Sequence, residues 1–539
     1  MVRNWFYGIS AAVFGLVGLV WLVWPPVLWS LVVLGPLFLA GLRDALQTKH
    51  TVLRNFPLIG HGRYLVENIR PEIQQYLIES NLDAYPVERE FRALVYQRAK
   101  NQLETRPFGT QRDVYRLGYE WACHSLAPVE QLHDDPRVEF GGPDCSKPYS
   151  AAHLNVSAMS FGALSKNAIL ALNGGAKKGG FAHNTGEGGI SRYHREPGGD
   201  LIWQIGTGYF GCRARDGGFD AEQFRERAGH DAVRMIEIKL SQGAKPGHGG
   251  ILPAVKVSPE IAEARGLEPW QTALSPPWHS AFSTPAGLIE FVARLRDLSG
   301  GKPVGIKFCV GRRTDFLAIC KAVLEVGTAP DFVTVDGGEG GTGAAPLEFS
   351  NSLGMPGRDG LVFVHNALTG AGLRDKVRVI YSGKVFSAFH MIRALALGAD
   401  ACNSARAMMF ALGCIQALRC NTNLCPTGIT TQNPALVKGL HVPGKTERVY
   451  QFHRATIHAF LEMLAAMGLK HPSEIGPEYV YRRIDDLHVR SMAEIYQFLQ
   501  PGQLVGDDMP ACAMCREWNA ACADDWSFQP ESGEALRQG

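Results

Sequence analysis

Long basic runs are missing from this chain. Its 54 Lys and Arg stand against 52 Asp and Glu, a formal net charge of +2, so there is no electrostatic case for a nucleic-acid partner. No internal repeat of about 20–50 residues is visible, which argues against solenoids and propellers. No Gly-x-Gly-x-x-Gly fingerprint follows the first predicted strand, which lowers an open dinucleotide-binding sheet and points away from NAD as the electron donor. Disorder has little support either, since 46% of the residues are apolar and only 20% charged. What is present is length, 539 residues, enough for about two to four structural units, and 60 glycines for tight turns.

Twelve cysteines are also present. Their clustering, with lone Cys309 and Cys320 inside apolar segments, reads as a reducing compartment with metal sites rather than a disulfide framework. Cys414, Cys420 and Cys425 lie within one stretch that ends in Cys425-Pro426. Three thiols cannot pair off, and closely spaced soft ligands hold iron well. Since the usual cubane takes four cysteines, a set of three implies a three-iron cluster or a fourth ligand from elsewhere. Three reduced thiols in a buried helix and loop are the competing reading. Cys512-Ala-Met-Cys515 with Cys522 leaves the same choice open, between a zinc or iron site and packed thiols.

At the amino terminus, Trp5 to Trp24 is an uncharged run long enough to cross a bilayer. Pro25-Pro26 break it, and a second uncharged run from Val27 to Leu42 is interrupted by Pro36. Trp5, Tyr7, Trp21, Trp24 and Trp29 are placed as interfacial anchors. A cleaved signal peptide competes, but no small-residue cleavage site is evident and the second run follows at once. The expectation is a transmembrane helical hairpin over 1–48, with a single span and an interfacial second run as the variant. Arg3 on one flank and Arg43, Lys49 and Arg54 on the other put both ends, and the catalytic domain, on the cytoplasmic side of the inner membrane.

Residues 49–150 are polar, aromatic and charged and read as a support or lid region. Glu88 to Arg92 looks helical and solvated, and His61 reads as structural. From about residue 152 short apolar runs alternate with helical stretches. The predicted strands are 154–159, 180–184, 201–205, 234–239, 303–308, 331–335, 377–382 and 399–403. Eight such strands predict an α/β fold, a parallel (β/α)8 TIM barrel over 151–445 with its chemistry at the carboxyl ends of the strands. Residues 446–539 are expected to form a helical flanking region, with Leu461, Met463 and Leu464 as core, followed by the cysteine-containing tail.

The loops after these strands carry the functional reading. Met159 and Ser160 follow the first strand, and Asn184-Thr185-Gly186-Glu187-Gly188-Gly189 follows the second. Lys239 ends the fourth strand and Lys245 follows in a Gly/Pro turn, a cationic pocket suited to a dicarboxylate or a reduced flavin. Lysine at the end of an apolar strand is half-buried and needs an anionic partner, and Lys307 repeats the pattern. Asp336 to Ala344 is a glycine loop, including Gly341, able to wrap a ligand. Ser382-Gly383-Lys384 and Ala405-Arg406 end the seventh and eighth strands, where barrels hold phosphate. Together these features read as a site for flavin mononucleotide (FMN).

Over about residues 140–450 the chain resembles the synthase domain of glutamate synthases, through SAMSFGALS, NTGEGG, EIKLSQGAKPG, GGTGAAP and the GC-x5-C-x4-CP-x-G segment, all in order. The resemblance implies an FMN barrel with a three-iron, four-sulfur (3Fe-4S) cluster on Cys414, Cys420 and Cys425. It implies reductive amination of 2-oxoglutarate through 2-iminoglutarate to glutamate. Glu187, Lys239 and Lys245 become catalytic candidates, and Gln242, Lys245 and Arg265 would hold the 2-oxoglutarate carboxylates. Gln204 and Lys239 would contact flavin, with Met159, Ser160, Lys307 and Gly341 around it and Ser382, Gly383, Lys384, Ala405 and Arg406 on its phosphate. The chain departs from the family at Trp203, Tyr209, His248 and Ile251, which leaves the substrate open. Neither the amidotransferase domain nor an amino-terminal cysteine nucleophile is seen, so ammonia is expected from solution or a separate glutaminase. Electrons are expected from a protein or membrane donor. A membrane-tethered electron-transfer protein acting on another substrate is the alternative function, and a scaffold that has lost catalysis is opposed by the intact lysines, Glu187 and cysteines.

Overall fold

The computed structural model describes residues 2–506 and 513–526, so Cys512 lies outside the described residues. The chain divides into two compact units, Met1–Arg89 and Glu90–Gly539.

In the first unit, helix Val2–Trp21 is followed by a 3-10 turn at Pro25–Ser30 and helix Leu31–Leu46. Pro25 and Pro26 open the 3-10 turn, where a missing N–H costs nothing, and Pro36 is carried inside the second helix. Both apolar segments, Val2–Trp21 and Pro25–Leu46, are long and apolar enough to cross a membrane. His61 Nε2 lies 2.8 Å from the buried Asp44 carboxylate, which also accepts the Leu58 N–H.

The second unit is built on a closed barrel of eight parallel strands. They are Leu154–Val156, His183–Asn184, Leu201–Ile205, Val233–Lys239, Val304–Cys309, Phe332–Asp336, Arg378–Ser382 and Ala401–Ser404. Each pairs with the next, and the eighth closes on the first through Cys402↔Leu154 and Asn403↔Asn155. All eight expected strands are present, though the first stops at Val156 and the second shrinks to two residues.

Side chains alternate across each strand, so one face meets the helices and the other the barrel interior. In the third strand Trp203 faces outward and stacks on Phe224 of helix Ala221–Ala228, with ring centroids 5.2 Å apart. Ile202 and Gln204 face inward. At the amino-terminal end, hairpin Val138–Phe140 and Tyr149–Ala151 plugs the barrel, packing Phe140 and Tyr149 against Ile202, Met235, Phe332 and Ile380. Closing that end with apolar side chains leaves only the carboxyl-terminal mouth open for chemistry.

Helix Val442–Ala466 packs on helix Lys166–Gly179. The approach is close enough that a β-carbon on Gly175 would lie 2.5 Å from Val449 Cγ1. Leu461 and Leu464 are buried as expected, whereas Met463 is only half-buried. Helix Arg89–Ala99 corrects the expectation of a solvated segment. Arg92 and Arg98 are buried, and Arg98 is neutralised by Glu104 at 2.7 Å.

Candidate active site

Parallel strands deliver their last inward side chains to one mouth. The fourth strand, Val233–Lys239, presents Met235, Glu237 and Lys239 at rising heights because inward positions recur every second residue. Met235 belongs to the apolar floor. Glu237 is fully buried above it: Oε1 accepts from Asn184 Nδ2 at 2.8 Å and Gln204 Nε2 at 2.7 Å, and Oε2 from Thr334 Oγ1 at 2.6 Å. Sequence reading assigned Glu237 no role. Its one visible signal is a carboxylate at an inward position of an otherwise apolar strand.

At the mouth, Lys239 and Lys307 are each paired with a carboxylate. Lys239 Nζ lies 2.9 Å from a Glu187 carboxylate oxygen and donates to Gln242 Oε1 at 2.6 Å. Lys307 Nζ is 3.4 Å from Asp336. Burial disfavours the Lys307 ammonium, but Asp336 and Glu237 outweigh it and raise its pKa. For Glu187, burial opposes ionisation, yet Lys239, Lys245 and Arg265 prevail and hold its carboxyl below the usual range. Burial lowers the pKa of Lys245, whose ammonium donates to Gly249 O at 2.8 Å. Burial also pulls Arg265 down to about 10, so it stays charged at neutral pH. The Arg265 guanidinium lies over the Phe210 ring at 4.9 Å, and its buried Nε has no partner among the described residues. Glu187 is thus a carboxylate facing three cations, a site that favours further negative charge.

The first two loops touch because Gly186 has a positive φ of 65° and no side chain. A β-carbon there would lie 2.7 Å from the Ser160 amide nitrogen. Met159 is buried beside them and donates its N–H to Asn184 O at 3.4 Å. Across the mouth, Ser382 and Ser157 hydroxyls meet at 3.0 Å. Gly383 and Lys384 follow Ser382, and Ala405 precedes helix Arg406–Leu412. Arg406 donates to the Glu339 carbonyl at 2.9 Å and makes no ion pair among the described residues. Among the described residues, only Arg406 Nη1, at 4.0 Å, stands near the space a β-carbon on Gly341 would take. A half-buried guanidinium beside an open glycine cradle fits the phosphate end of FMN, and the Gln204 amide and Lys239 ammonium fit its polar ring edge.

Of the four departures from the family pattern, only His248 lines the small pocket over Glu187, with Thr207, Lys239 and Gln242. Trp203 faces the helices, Tyr209 is buried with its hydroxyl accepting from the Ala281 N–H at 3.0 Å, and Ile251 is 39% exposed in a two-residue strand. The pocket holds about 20 Å³, room for a water or ammonia. A larger cavity of about 600 Å³ adjoins it through Leu240, Ser241 and Pro277 and is walled by Trp278, Phe282 and Phe308.

Cys414, Cys420 and Cys425 follow the eighth strand on a single loop. Among the described residues no three His, Cys, Asp or Glu side chains stand ready-made around one ion. The donor chemistry nonetheless suits iron. Burial pushes the Cys414 thiol up to about 12, with the other two thiols adding to it. Burial also opposes ionisation of Cys425, but hydrogen bonds from Thr427 and Thr430 bring it to about 7. Lys256, which sequence reading passed over, donates to Cys420 O at 2.7 Å and Thr430 O at 3.0 Å, fastening this loop to the insertion after the fourth strand.

The family described as a conserved region in glutamate synthase matches residues 123–470. The glutamate synthase large subunit-like protein YerD of Bacillus subtilis is 36% identical over 499 residues, 85% of this chain and 95% of that protein. The archaeal glutamate synthase (NADPH) of Methanocaldococcus jannaschii is 35% identical over 315 residues, 58% of each chain. That of Archaeoglobus fulgidus is 34% identical over 373 residues, 69% of this chain and 67% of the relative. Barrel, strand-end lysines, glycine loops and these matches agree, and the chain belongs to the glutamate synthase family.

Proposed function

We propose that this glutamate synthase-like oxidoreductase reductively aminates 2-oxoglutarate to glutamate at the barrel mouth, using bound FMN and a 3Fe-4S cluster on Cys414, Cys420 and Cys425. One observation carries the reading: an ionised Glu187 held 2.9 Å from Lys239, with Lys245 and Arg265 beside it. Bound flavin mononucleotide supplies the hydride. Lys245 and Arg265 attract the two carboxylates of the acid, and Gln242 orients Lys239. Ammonia adds to the keto carbon through its lone pair, and Glu187 takes a proton from the nitrogen and passes it to the departing hydroxyl. Loss of water gives 2-iminoglutarate, and Lys239 returns a proton to nitrogen. Because the pocket over Glu187 admits little more than a water, entry of a five-carbon diacid requires Gly247–Gly250 to move away from Pro276–Pro277.

The hydrogen-bonded Gln204 amide, the Arg406 guanidinium and the Gly341 cradle support FMN as the cofactor. The spacing and donor chemistry of the cysteine loop support the cluster. The two apolar helices support a hairpin anchor with the catalytic unit on the cytoplasmic side, and Trp5, Trp24 and Trp29 are exposed as lipid-interface anchors would be. Ammonia comes from solution or from a separate glutaminase.

The test is to purify the detergent-solubilised protein and record its flavin spectrum and low-temperature EPR. Glutamate formation is then assayed from 2-oxoglutarate and ammonium with chemically reduced enzyme. An intact, reducible flavin that forms no glutamate overturns the reaction. An EPR signal that survives Cys420→Ser overturns the cluster ligands. Because two relatives are named for NADPH, its direct reduction of the flavin is measured in parallel, and rapid reduction would replace a protein donor.

A further inference from the structure

The stretch after the second apolar helix carries a pattern that neither the barrel nor the hairpin uses. Helix Gly60–Ile73 is capped by Ile59 and continued by the π-helical turn Gln74–Ile78. Ile59, Leu65, Val66, Ile69 and Ile73 recur at spacings of three, four and seven residues, which puts them along one side. Tyr64, Glu67, Asn68 and Pro71 fall on the other side, with Arg63 and Arg70 on the border. The apolar side is bare: Ile59, Leu65, Val66 and Ile69, and Tyr76, Leu77 and Ile78 in the turn, are all between 40% and 80% exposed. So large an exposed apolar face marks an interaction surface. The Tyr64 ring lies 5.8 Å from His50, so it is the polar side that meets its own unit.

Asp44 sets the position of this helix. It belongs to the last turn of helix Leu31–Leu46, in the second apolar segment, and is buried there. Its Oδ2 accepts the Leu58 N–H at 3.1 Å and stands 2.8 Å from Nε2 of His61, in the first turn of helix Gly60–Ile73. Leu58 also closes on the span, since a β-carbon on Gly41 would lie 3.1 Å from its Cγ. The amphipathic helix therefore begins level with the end of the span, where hydrocarbon gives way to headgroups. Charge there has one sign in excess. From Arg43 to Arg70, the cations Arg43, Lys49, Arg54, Arg63 and Arg70 stand against only Asp44 and Glu67. Asp44 is engaged by Leu58 and His61, and Glu67 by Arg63 at 2.9 Å. Arg43, Lys49, Arg54 and Arg70 are exposed and make no ion pair among the described residues.

We propose that the segment from Ile59 to Ile78 lies in the plane of the membrane, its apolar side sunk below the headgroups and Arg63 and Arg70 bound to anionic phospholipids. The proposal rests on the reading of the two apolar helices as a membrane hairpin. It adds a third lipid-binding element, in a region that read only as support or lid. An apolar stripe bordered by arginines matches a surface in which acyl chains and phosphates are immediate neighbours. The arginine stems extend the stripe while their guanidinium groups donate to phosphate oxygens. A second copy of this chain is the weaker match, because the stripe starts at the end of the span and already borders lipid there.

The experiment uses the full chain in nanodiscs of phosphatidylcholine, alone or mixed with phosphatidylglycerol. Photoreactive p-benzoylphenylalanine is placed at position 65, at position 69 or, as the control from the polar side, at position 68. Adducts are read by mass spectrometry after illumination. Phospholipid adducts are expected at 65 and 69 and none at 68. The R63E/R70E variant should lower the yield at 65 and 69 about fivefold or more in the anionic discs and leave it unchanged in the neutral ones. I69S, which leaves the charges in place, should lower the yield at 65 in both. Adducts to protein instead of lipid at 65 and 69, whether to a second copy or to another part of the chain, overturn the proposal, as do equal lipid yields at 65 and 68. An undiminished yield in R63E/R70E overturns anionic phospholipid as the partner. Release of the chain from membranes by alkaline carbonate overturns the hairpin and the proposal with it. A chain that resists carbonate yet gives no lipid adduct at 65 or 69 overturns the interfacial helix alone.

Discussion

Glu237 accepts the Gln204 side-chain amide at 2.7 Å inside the barrel, one layer below the mouth. A carboxylate can only accept, so the Gln204 NH2 is turned toward it and the carbonyl oxygen is left to meet a donor on a ligand, such as an imide N–H of a flavin ring. The same oxygen of Glu237 holds Asn184, whose own Oδ1 accepts the Gly186 N–H at 3.0 Å and so steadies the loop that carries Glu187.

Glu237→Gln sets an amide donor against the donors of Asn184 and Gln204. Leaving a buried donor unpaired costs about 1–3 kcal/mol. Urea unfolding should report that loss, and flavin fluorescence should show FMN released about tenfold more readily. Unchanged flavin affinity would remove Glu237 as a positioning residue.

Glu187→Gln keeps the shape of the pocket and removes its carboxylate. Turnover should fall by about 10²–10⁴-fold with little change in the KM for 2-oxoglutarate, the range set by general acid–base catalysis. A variant with near-normal turnover would rule out Glu187 as the proton acceptor.

Lys239→Met acts on the same carboxylate from the other side. The cation nearest Glu187 is lost, so the carboxyl becomes easier to protonate and the acid limb of the kcat/KM profile should move to higher pH. An acid limb that stays in place would show that the two groups do not titrate together.

Acid should unfold this protein through its histidines. Burial lowers His194 to about 3 and His279 and His453 to about 4, and puts His183 and His390 well below the usual value. Each is neutral in the folded chain and becomes protonated near pH 6.5 when unfolded, so the unfolded state binds more protons. Stability is therefore full above about pH 6.5 and declines as pH falls toward the folded-state values, by about 1.4 kcal/mol per histidine at about pH 5.5. Urea midpoints measured from neutral pH downward should fall steadily, and a flat profile would contradict the burial of these rings.

A β-carbon on Gly243 would lie 1.6 Å from the Gly337 carbonyl oxygen, a backbone atom that cannot step aside. Gly243→Ala should therefore push the loops after the fourth and sixth strands apart, weaken flavin retention and lower the melting temperature by several degrees. Gly311→Ala meets nothing within 4 Å among the described residues and serves as the silent control. Equal behaviour of the two variants would show that the loops are not in contact.

The eight strands were legible because each is a short apolar run bounded by turn residues. Lys239 and Lys307 stood out because a cation ending such a run cannot stay unpaired. Glu237 did not, since one carboxylate in a strand acquires meaning only when seven other strands set its height and neighbours. The departure at Trp203 looked like a change in the active site. Alternation within its strand turns it outward onto Phe224, so that substitution leaves the mouth untouched. The segment around Phe140 and Tyr149 read only as support, and its place as the barrel floor depends on apolar ends of strands that are far away in sequence.

Local patterning therefore determined the barrel, the apolar amino-terminal helices, the glycine loops and the spacing of Cys414, Cys420 and Cys425, because hydrophobic period and turn chemistry act over a few residues. Tertiary structure decided which charges face one another: Glu187 with Lys239, Lys307 with Asp336, and Lys100 with Lys445 and Arg448. Electrostatic interaction depends on distance and burial, and both are set only when strands and helices far apart in the chain close around the same space.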